Sequence, residues 1–447
     1  MKSINANDLL GLMSASTLVV ASNAPATIRE AALEAKSHYG ALIQLCDGTA
    51  DNVEIQAAID ALPSSGGRLV LSSGIFNLAG TITLKSYVTL QGQNRGRPSE
   101  PPDTVGSTVL VQAANFTPLL NLNATDGVML RDFKIRGGQG TYATGRAIQA
   151  VGADWLTIEN LYLNGIVGEG IYGEYSGGKG CGWSLRDIYV RGGGAEGVYF
   201  FGIVDAWLDQ VVTGGCAGEA GIYLRDGGDL VVKGCRADWN SKRGFYINGG
   251  SNITLASCTA DANNYAGFEL LNHSDSVLVG LRGFNNGKAT GGVWQYGVGI
   301  RFAATSLRNI LLGSRFQDSQ GVKTQQYGIL EDETSNYNII SENDVIGNGT
   351  KGIYLPIAGA NTIVRSNQGH ATENSGQASI TGAVNSVNVT HNLASTPTRV
   401  LVTAIQTGQG DFAVTAKGAA TFTITFVTQP GASTWYFDWR AVVGEGN

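Results

Sequence analysis

Several acidic residues recur beside one short repeated phrase, and carboxylates in such numbers suggest bond cleavage. The phrase is a glycine, an apolar residue and usually a tyrosine, as in Gly221-Ile222-Tyr223. The acidic residues near its copies are Glu169, Glu174, Glu196, Glu219, Asp226 and Glu269. Glycoside hydrolysis requires two carboxyl groups that flank the scissile bond, about 5 Å apart for retention of configuration and roughly 6.5–9.5 Å apart for inversion. We expect the catalytic pair to come from four residues: Glu174, Glu219, Asp226 and Glu269.

Aromatic residues follow the same glycine at a constant position. If each copy is a strand, alternate side chains point outward, and the first outward column is Tyr172, Tyr199, Tyr223, Tyr246 and Glu269. The next outward column is Glu174, Phe201, Arg225, Asn248 and Leu271. A row of exposed rings could stack on a sugar chain, or stacked tyrosines could form a ladder that stabilises a sheet. The predicted substrate contacts are Tyr172, Tyr199, Tyr223, Tyr246, Arg225, Asn248 and Arg301.

A second, partly basic column leaves another chemistry open. Its members are Lys134, Tyr162, Tyr189, Val212, Arg236, Thr259, Arg282 and Arg315. Together with Arg225 and Arg301 they could hold the carboxylates of an acidic glycan. Such a substrate would favour a β-eliminating lyase with Tyr246, His273 or Arg225 as the base. No compact acidic cluster typical of a calcium loop is visible, so the sequence predicts no metal site and no cofactor.

These columns depend on the repeat that positions them. The glycines at 170, 197, 221, 244 and 267 are 23 to 27 residues apart, and the phrase returns at Gly352. A period of this size indicates a solenoid, in which each repeat packs against its neighbours. Each repeat contains short β-runs such as Leu230-Val231-Val232 between Gly, Asn and Asp turns, with no space for a helix. A parallel β-helix fits this pattern, and its coil spacing of about 4.8 Å places equivalent residues above one another.

The amino-terminal part of the chain contains a recognisable sequence motif. Cys46 to Asp51 reads as a loop, and the next segment as a helix with Ile55, Ala58, Ile59 and Leu62 on one face. Short strands follow up to Gly92. This stretch resembles the cap and first coil of the pectate-lyase-like superfamily, which includes polygalacturonases, polysaccharide lyases and many phage tailspike depolymerases. The resemblance implies an all-β fold, a right-handed single-stranded parallel β-helix with an amino-terminal cap helix, and a carbohydrate-active enzyme.

The pattern changes after Gly369. Segments at 387–393, 399–403, 412–415, 421–426 and 435–441 alternate in polarity, which predicts a small antiparallel β-sandwich. This part resembles the carboxy-terminal β-domains of phage tail proteins, which implies a homotrimer or a contact with carbohydrate. The predicted domains are a lead-in at 1–40, the β-helix at 41–370 and the β-sandwich at 380–447.

Composition excludes other classes of function. The net charge is −6, with 30 basic and 36 acidic residues and no basic run, which speaks against nucleic-acid binding. No apolar run approaches the ~18 residues of a membrane span. The stretch from Leu9 to Ala21 is not a convincing signal peptide, so an extracellular or virion location follows from the resemblance alone. Cys235 and Cys258 lie one repeat apart and are expected to be stacked, buried thiols.

We therefore expect a glycoside hydrolase that acts on a polysaccharide in a groove along the β-helix. A polysaccharide lyase is the enzymatic alternative. A glycan-binding or structural tail protein without catalysis is the alternative from another class, because a fold does not determine a function.

Overall fold

Each repeat folds into one coil of short strands because apolar and polar residues alternate within the strands. The computed structural model describes residues 16–96, 106–288, 297–332, 334–355 and 361–444. Strands of successive coils pair in parallel and in register, and they form one 11-stranded sheet and one 20-stranded sheet. The 11-stranded sheet is called the first face here, and the 20-stranded sheet bends to give a second and a third face.

The first face carries the repeated phrase. Its strands are Ile82–Thr83, Leu120–Asn121, Ile148–Val151, Ile171–Glu174, Val198–Phe201, Ala220–Arg225, Arg243–Asn248, Phe268–Leu271, Val298–Ala303, Tyr327–Glu331 and Lys351–Tyr354.

The second and third faces share four long strands that turn the corner between them. These are Met129–Arg136, Thr157–Asn164, Ser184–Arg191 and Trp207–Gly214. Each has one residue of positive φ at its centre, namely Asp132, Asn160, Asp187 and Gln210, at 52 to 64°. Asn and Asp tolerate this left-handed conformation better than most residues. In three of the four strands, the bend therefore lies at a residue type that favours this conformation.

The other strands of the 20-stranded sheet belong to one of these two faces. On the second face they are Ser16–Val20, Ile43–Leu45, Gly67–Leu71, Val88–Gln91, Gly228–Lys233, Ser251–Ala256, Val277–Val279, Ile310–Leu312, Ile339–Ser341 and Ile363–Arg365. On the third face they are Gly74–Leu78, Thr108–Gln112, Arg236–Asp238, Thr259–Asp261, Arg282–Phe284 and Arg315–Gln317. Ser16–Val20, which lies inside the predicted lead-in, pairs with Ile43–Leu45 and Gly67–Leu71.

The interior of the solenoid is one continuous apolar core. Inward residues such as Ile222, Phe245 and Phe268 are at most 1% exposed. The rings of Phe245 and Phe268 stack at 4.8 Å between neighbouring coils. Cys235 and Cys258 are buried free thiols, as the sequence predicts.

Polar side chains inside the solenoid form ladders of their own. Asn240, Asn263 and Asn286 are fully buried at the corner that precedes the first face. The Asn240 amide donates to Asn263 at 2.9 Å, and the Asn263 amide donates to Asn286 at 3.0 Å. A buried amide is stable only when such bonds are made, so this ladder holds successive corners in register.

Two helices lie near the amino terminus, Ala26–Tyr39 and Asn52–Ala61. The second buries Ile55, Ala58 and Ile59 against the core of the solenoid, which confirms the predicted cap helix. Asp51 is fully buried and accepts backbone N–H groups of Gly48 and Asn77 at 2.9 and 2.7 Å. The cap thus covers the end of the solenoid, where backbone groups at the strand edges would otherwise lack hydrogen-bond partners.

The carboxy-terminal module has its own core and two three-stranded antiparallel sheets. One contains Glu373–Gly382, Arg399–Ala404 and Gly431–Val442, and the other Ser386–Thr390, Phe412–Lys417 and Thr421–Phe426. Phe422, Phe426 and Phe437 are buried between them. The predicted all-β fold, a right-handed parallel β-helix followed by a small antiparallel β-sandwich, is confirmed.

Candidate functional site

The tyrosines of the repeated phrase stand above one another on the first face. Tyr172 pairs in register with Tyr199, Tyr199 with Tyr223, and Tyr223 with Tyr246. The rings of Tyr199 and Tyr223 stack at 4.7 Å with an angle of 13° between their planes. The rings of Tyr223 and Tyr246 also stack at 4.7 Å. The predicted column is confirmed, and it continues into Glu269 and Arg301.

The stack changes what these rings can bind. Tyr223 and Tyr246 are each 8% exposed, so the prediction of open aromatic faces is wrong for these two. A ring with neighbours at 4.7 Å above and below offers only its edge and hydroxyl. The tyrosines therefore form a ladder, the second of the two predicted roles. At the end of the stack, Tyr172 and Tyr199 meet edge to face at 5.5 Å.

The second outward column provides the more accessible polar surface of this face. The column Glu174, Phe201, Arg225 and Asn248 pairs in register on the strands of four successive coils. Each coil is called a rung of the solenoid below. Glu174 accepts a hydrogen bond from the Tyr172 hydroxyl at 2.6 Å. Arg225 lies 4.9 Å from the Phe201 ring, and Asn248 donates to the Tyr223 hydroxyl at 3.2 Å.

Glu174 and Asp226 lie two rungs apart on this surface. Asp226 follows Arg225 at the end of its strand and contacts its guanidinium at 3.4 Å, with both side chains about half exposed. Two rung spacings amount to about 9.6 Å between the backbones. These two carboxylates are accessible but not adjacent.

Glu269 and Arg301 belong to a chain of alternating charges at the other edge of the face. Arg243 binds Glu219 at 2.9 Å and Glu269 at 2.9 Å. Arg301 continues the chain to Glu269 at 3.6 Å and to Asp332 at 2.8 Å. Glu269 and Arg301 expose only 2% and 10% of their side chains. Both side chains are largely enclosed by this network, and the predicted catalytic role of Glu269 and substrate contact of Arg301 stay predictions.

Glu219 begins this chain of charges and remains accessible, with 42% of its side chain exposed. Lys242 and Arg243 both contact its carboxylate. Burial alone would raise the pKa of Glu219, but the ammonium and the guanidinium more than offset this effect. The pKa of Glu219 therefore lies below its usual range, and the group is ionised near neutral pH.

Glu196 lies on the preceding rung and has the opposite electrostatic environment. Its carboxylate accepts the backbone N–H of Glu219 at 2.8 Å. Burial raises the pKa of Glu196, and the negative charges of Glu169 and Glu219 add to that rise. A Cβ atom at Gly218 would lie 2.6 Å from the Glu196 carboxylate, so the absence of a side chain there makes room for it.

Glu196 and Glu219 thus form a pair whose pKa values are displaced in opposite directions. One carboxyl group with a raised pKa beside one with a lowered pKa is the arrangement that suits a general acid and a nucleophile or base. Sequence reasoning placed Glu196 near this face without selecting it. The available signal was that Glu169 and Glu196 each stand directly before the repeated glycine, so like charges had to meet on adjacent rungs.

The three residues considered as the base of a lyase lie in different environments. His273 is fully buried between the Gly249 carbonyl and the Ser276 hydroxyl, at 2.8 and 2.6 Å, so it cannot reach a glycan. Burial raises the pKa of Tyr246 to about 12, above its usual range, which makes it a poor base at neutral pH. Arg225 is exposed on the surface described above.

One group of possible metal ligands lies in the amino-terminal cap. Among the described residues, Cys46, Asp51 and Glu54 bring one ligand atom each within 4.8 Å of the others. Burial, with the nearby charges of Asp51 and Glu54, raises the pKa of the Cys46 thiol. The Cys46 thiol retains its proton, and the Asp51 carboxylate already accepts backbone N–H groups. The cluster therefore fits a closed turn better than a metal site. This cluster lies outside the first face.

No helix within the described ranges has the length and apolar character needed to cross a bilayer. No curated protein matches the chain in a sequence comparison.

Comparison with solved structures shows the same fold in several proteins. The chain is similar to the tailspike protein gp49 of Pseudomonas phage LKA1, with 13% identity, a TM-score of 0.57 and coverage of 88% of this chain and 92% of that one. It is similar to the Dettilon tailspike protein, with 13% identity, a TM-score of 0.55 and coverage of 98% and 96%. The A-module of the mannuronan C-5 epimerase AlgE6 of Azotobacter vinelandii gives 16% identity, a TM-score of 0.56 and coverage of 72% and 95%.

Comparison with protein families gives a match that extends over more than half of the chain. The family is described as the right handed beta helix region, and it matches residues 119–302 and 212–367. These residues include all the strands that carry the tyrosine column and the pair of Glu196 and Glu219. The chain belongs to the right-handed β-helix family.

Proposed function

We propose that this protein is a polysaccharide-degrading glycoside hydrolase whose catalytic carboxyl groups are Glu196 and Glu219. Glu196 is the general acid that protonates the leaving oxygen, and Glu219 is the ionised partner. The observation that carries this proposal is the opposite displacement of their pKa values on adjacent rungs. The two residues lie on adjacent rungs, about 4.8 Å apart at the backbone, a spacing that allows the ~5–5.5 Å between carboxyl groups of a retaining enzyme.

The remaining groups of the first face have supporting roles in this proposal. Lys242 and Arg243 keep Glu219 ionised. Glu269 positions Arg243, and Arg301 continues that network. The substrate contacts are the accessible Glu174, Arg225, Asp226 and Asn248, with the hydroxyl edges of the tyrosines: Tyr172, Tyr199, Tyr223 and Tyr246.

The similar solved structures support the class of substrate. Two of them are tailspike proteins, and the third is named for a reaction on mannuronan, a polysaccharide. A sequence identity of 13 to 16% is too low to transfer the reaction of these proteins to this chain. The choice of hydrolysis over β-elimination rests on the two glutamates and on the poor suitability of His273 and Tyr246 as bases.

The protein is further proposed to be a homotrimer of an extracellular or virion type. A column that is apolar except at Thr254 runs along the second face over seven rungs: Trp207, Val231, Thr254, Val277, Ile310, Ile339 and Ile363. Trp207, Val277 and Ile363 are 41 to 49% exposed. This column is about 29 Å long and parallel to the solenoid axis. It suits copies of this chain packed side by side, because contiguous exposed apolar surface marks interaction sites.

One experiment separates the three functional classes. The full chain is incubated with a panel of capsular, O-antigen and plant polysaccharides, and reducing ends and absorbance of unsaturated uronates are followed together. We expect new reducing ends without the absorbance. Absorbance that rises with the reducing ends would identify a lyase, and binding without either signal would identify a glycan-binding protein.

A further inference from the structure

A tryptophan projects from the edge of the third face, away from the proposed active site. Trp239 follows the strand Arg236–Asp238 and has a φ of 50°. The equivalent positions on the neighbouring rungs are Gly215 and Ala262, as the backbone hydrogen bonds between the coils show. Because both neighbours are small, the indole stands clear of them and is 51% exposed.

An arginine from two rungs away lies beside this ring. The guanidinium carbon of Arg191 is 5.5 Å from the centre of the Trp239 ring. It crosses the intermediate rung at Gly214, where an added Cβ would lie only 2.9 Å from the Arg191 Nη1 atom. The missing side chain at Gly214 therefore lets Arg191 reach Trp239.

Two carboxylates lie beside this pair, Asp261 partly exposed and Asp238 buried. Asp238 and Asp261 pair in register on adjacent rungs. Asp238 exposes 2% of its side chain, and its Oδ2 binds Arg236 at 2.5 Å. Its buried Oδ1 has no hydrogen-bond partner within the described part of the chain. Burial, with the charge of Asp261, raises the pKa of Asp238 to about 6. A buried polar atom without a partner is unusual, but Asp238 lies beneath the surface, whereas Asp261 is partly exposed and can meet a ligand hydroxyl.

The third face as a whole favours an anion. Its two outward columns contain six basic residues, Lys134, Arg136, Arg191, Arg236, Arg282 and Arg315. They contain three acidic residues, Asp238, Asp261 and Asp344. A glycan that carries carboxylates would therefore be attracted to this face.

We propose that Trp239, Arg191 and Asp261 form a second carbohydrate-binding site for a uronate-bearing sugar. The apolar face of the sugar ring lies on Trp239, and its carboxylate is held by the guanidinium of Arg191. A hydroxyl group of the sugar donates a hydrogen bond to Asp261. This site lies on another face than the proposed hydrolase site and needs no bond cleavage, so it goes beyond the proposed function.

The test is affinity electrophoresis of the full chain in native gels. The gels contain polygalacturonate, alginate, hyaluronate or, as a neutral comparison, dextran. The variant Trp239→Ala removes the platform, and Gly214→Ala displaces Arg191. The matched control is Trp155→Ala, because Trp155 also has a positive φ of 55° and is 65% exposed at a different corner. Equal thermal unfolding of the three variants verifies their folding.

We expect retardation of the wild type in at least one acidic gel and not in dextran. Trp239→Ala and Gly214→Ala should weaken this binding by about tenfold or more, while Trp155→Ala leaves it unchanged. The proposal is overturned if the wild type is not retarded in any acidic gel, if dextran retards it equally, or if Trp239→Ala behaves as Trp155→Ala does. Loss of binding in Trp239→Ala without any reducing ends from the wild type would reject the hydrolase and retain this site.

Discussion

The backbone N–H of Glu219 donates to the side-chain carboxylate of Glu196 across one rung of the solenoid, at 2.8 Å. This bond joins the two groups proposed to cleave a glycan. It also opposes the effect of burial on Glu196, because a hydrogen bond to the ionised form favours that form. Burial and the charges of Glu169 and Glu219 outweigh it, and the pKa of Glu196 remains raised.

Removal of the ammonium beside Glu219 should alter the pH dependence of the reaction. In Lys242→Met the favourable charge is lost, so the pKa of Glu219 should rise. Because Glu219 must be ionised, the acidic limb of the kcat/KM profile should move to higher pH. Lys233→Met, on the second face, is the control and should leave the profile unchanged. An unaltered acidic limb in Lys242→Met would show that Glu219 is not the group that titrates there.

The tyrosine ladder should contribute to stability through its rings more than through its hydroxyls. Tyr223→Ala removes a buried ring from the middle of the stack and should lower the free energy of unfolding by about 3 kcal/mol. Tyr223→Phe loses only the hydrogen bond from Asn248 and should cost about 1 kcal/mol or less. Thermal and denaturant unfolding measure both variants. Equal losses in the two would contradict a ladder held by ring packing.

Asp238 should make the fold less stable as the pH rises. Its pKa is about 6 in the folded chain and about 3.9 in an unfolded one. A carboxyl group whose pKa is raised by folding supplies stability that is complete below about pH 3.9 and is lost as the pH passes 6. The loss amounts to roughly 3 kcal/mol, from about 1.4 kcal/mol per pKa unit.

The matched variant for this effect is Asp238→Asn, whose amide resembles the protonated acid. Its melting temperature should equal that of the wild type near pH 4 and exceed it near pH 7.5. Scanning calorimetry at both values measures the difference. A constant difference at all pH values would mean that Asp238 is ionised throughout.

The apolar column on the second face should control assembly. Light scattering of the full chain should give three times its mass of 46.8 kDa, and Val277→Asp should reduce the mass to that of one chain. Val322→Asp is the control, because Val322 is 85% exposed and lies outside the column. A single-chain mass for the wild type, unchanged when residues 380–447 are deleted, would contradict the trimer.

The repeat in the sequence was sufficient to predict which residues become neighbours. Tyr199, Tyr223 and Tyr246 are aligned because the period places their backbones one rung apart. The cap helix was equally predictable, since Ile55, Ala58 and Ile59 give it one apolar face. Alternation within each strand determines the side of the sheet, and the period determines the register.

The direction of long side chains was not predictable in this way. Arg243 can reach acidic groups on more than one rung, and it binds both Glu219 and Glu269. Glu196 extends toward the next rung because Gly218 leaves space there. The stacking of the tyrosine rings, which covers their faces, likewise depends on packing between side chains. The choice of Glu196 and Glu219 among the six carboxylates near this face therefore required the structure.

The most direct measurement compares single amide variants on a polysaccharide that the wild type cleaves. Glu196→Gln and Glu219→Gln should each lower kcat by at least about 10²-fold, since each removes a group that acts in the transition state. Glu159→Gln should retain activity, because Glu159 binds Arg131 and Arg186 on the second face. Full activity in Glu196→Gln and Glu219→Gln would contradict the assignment of the active site to this pair.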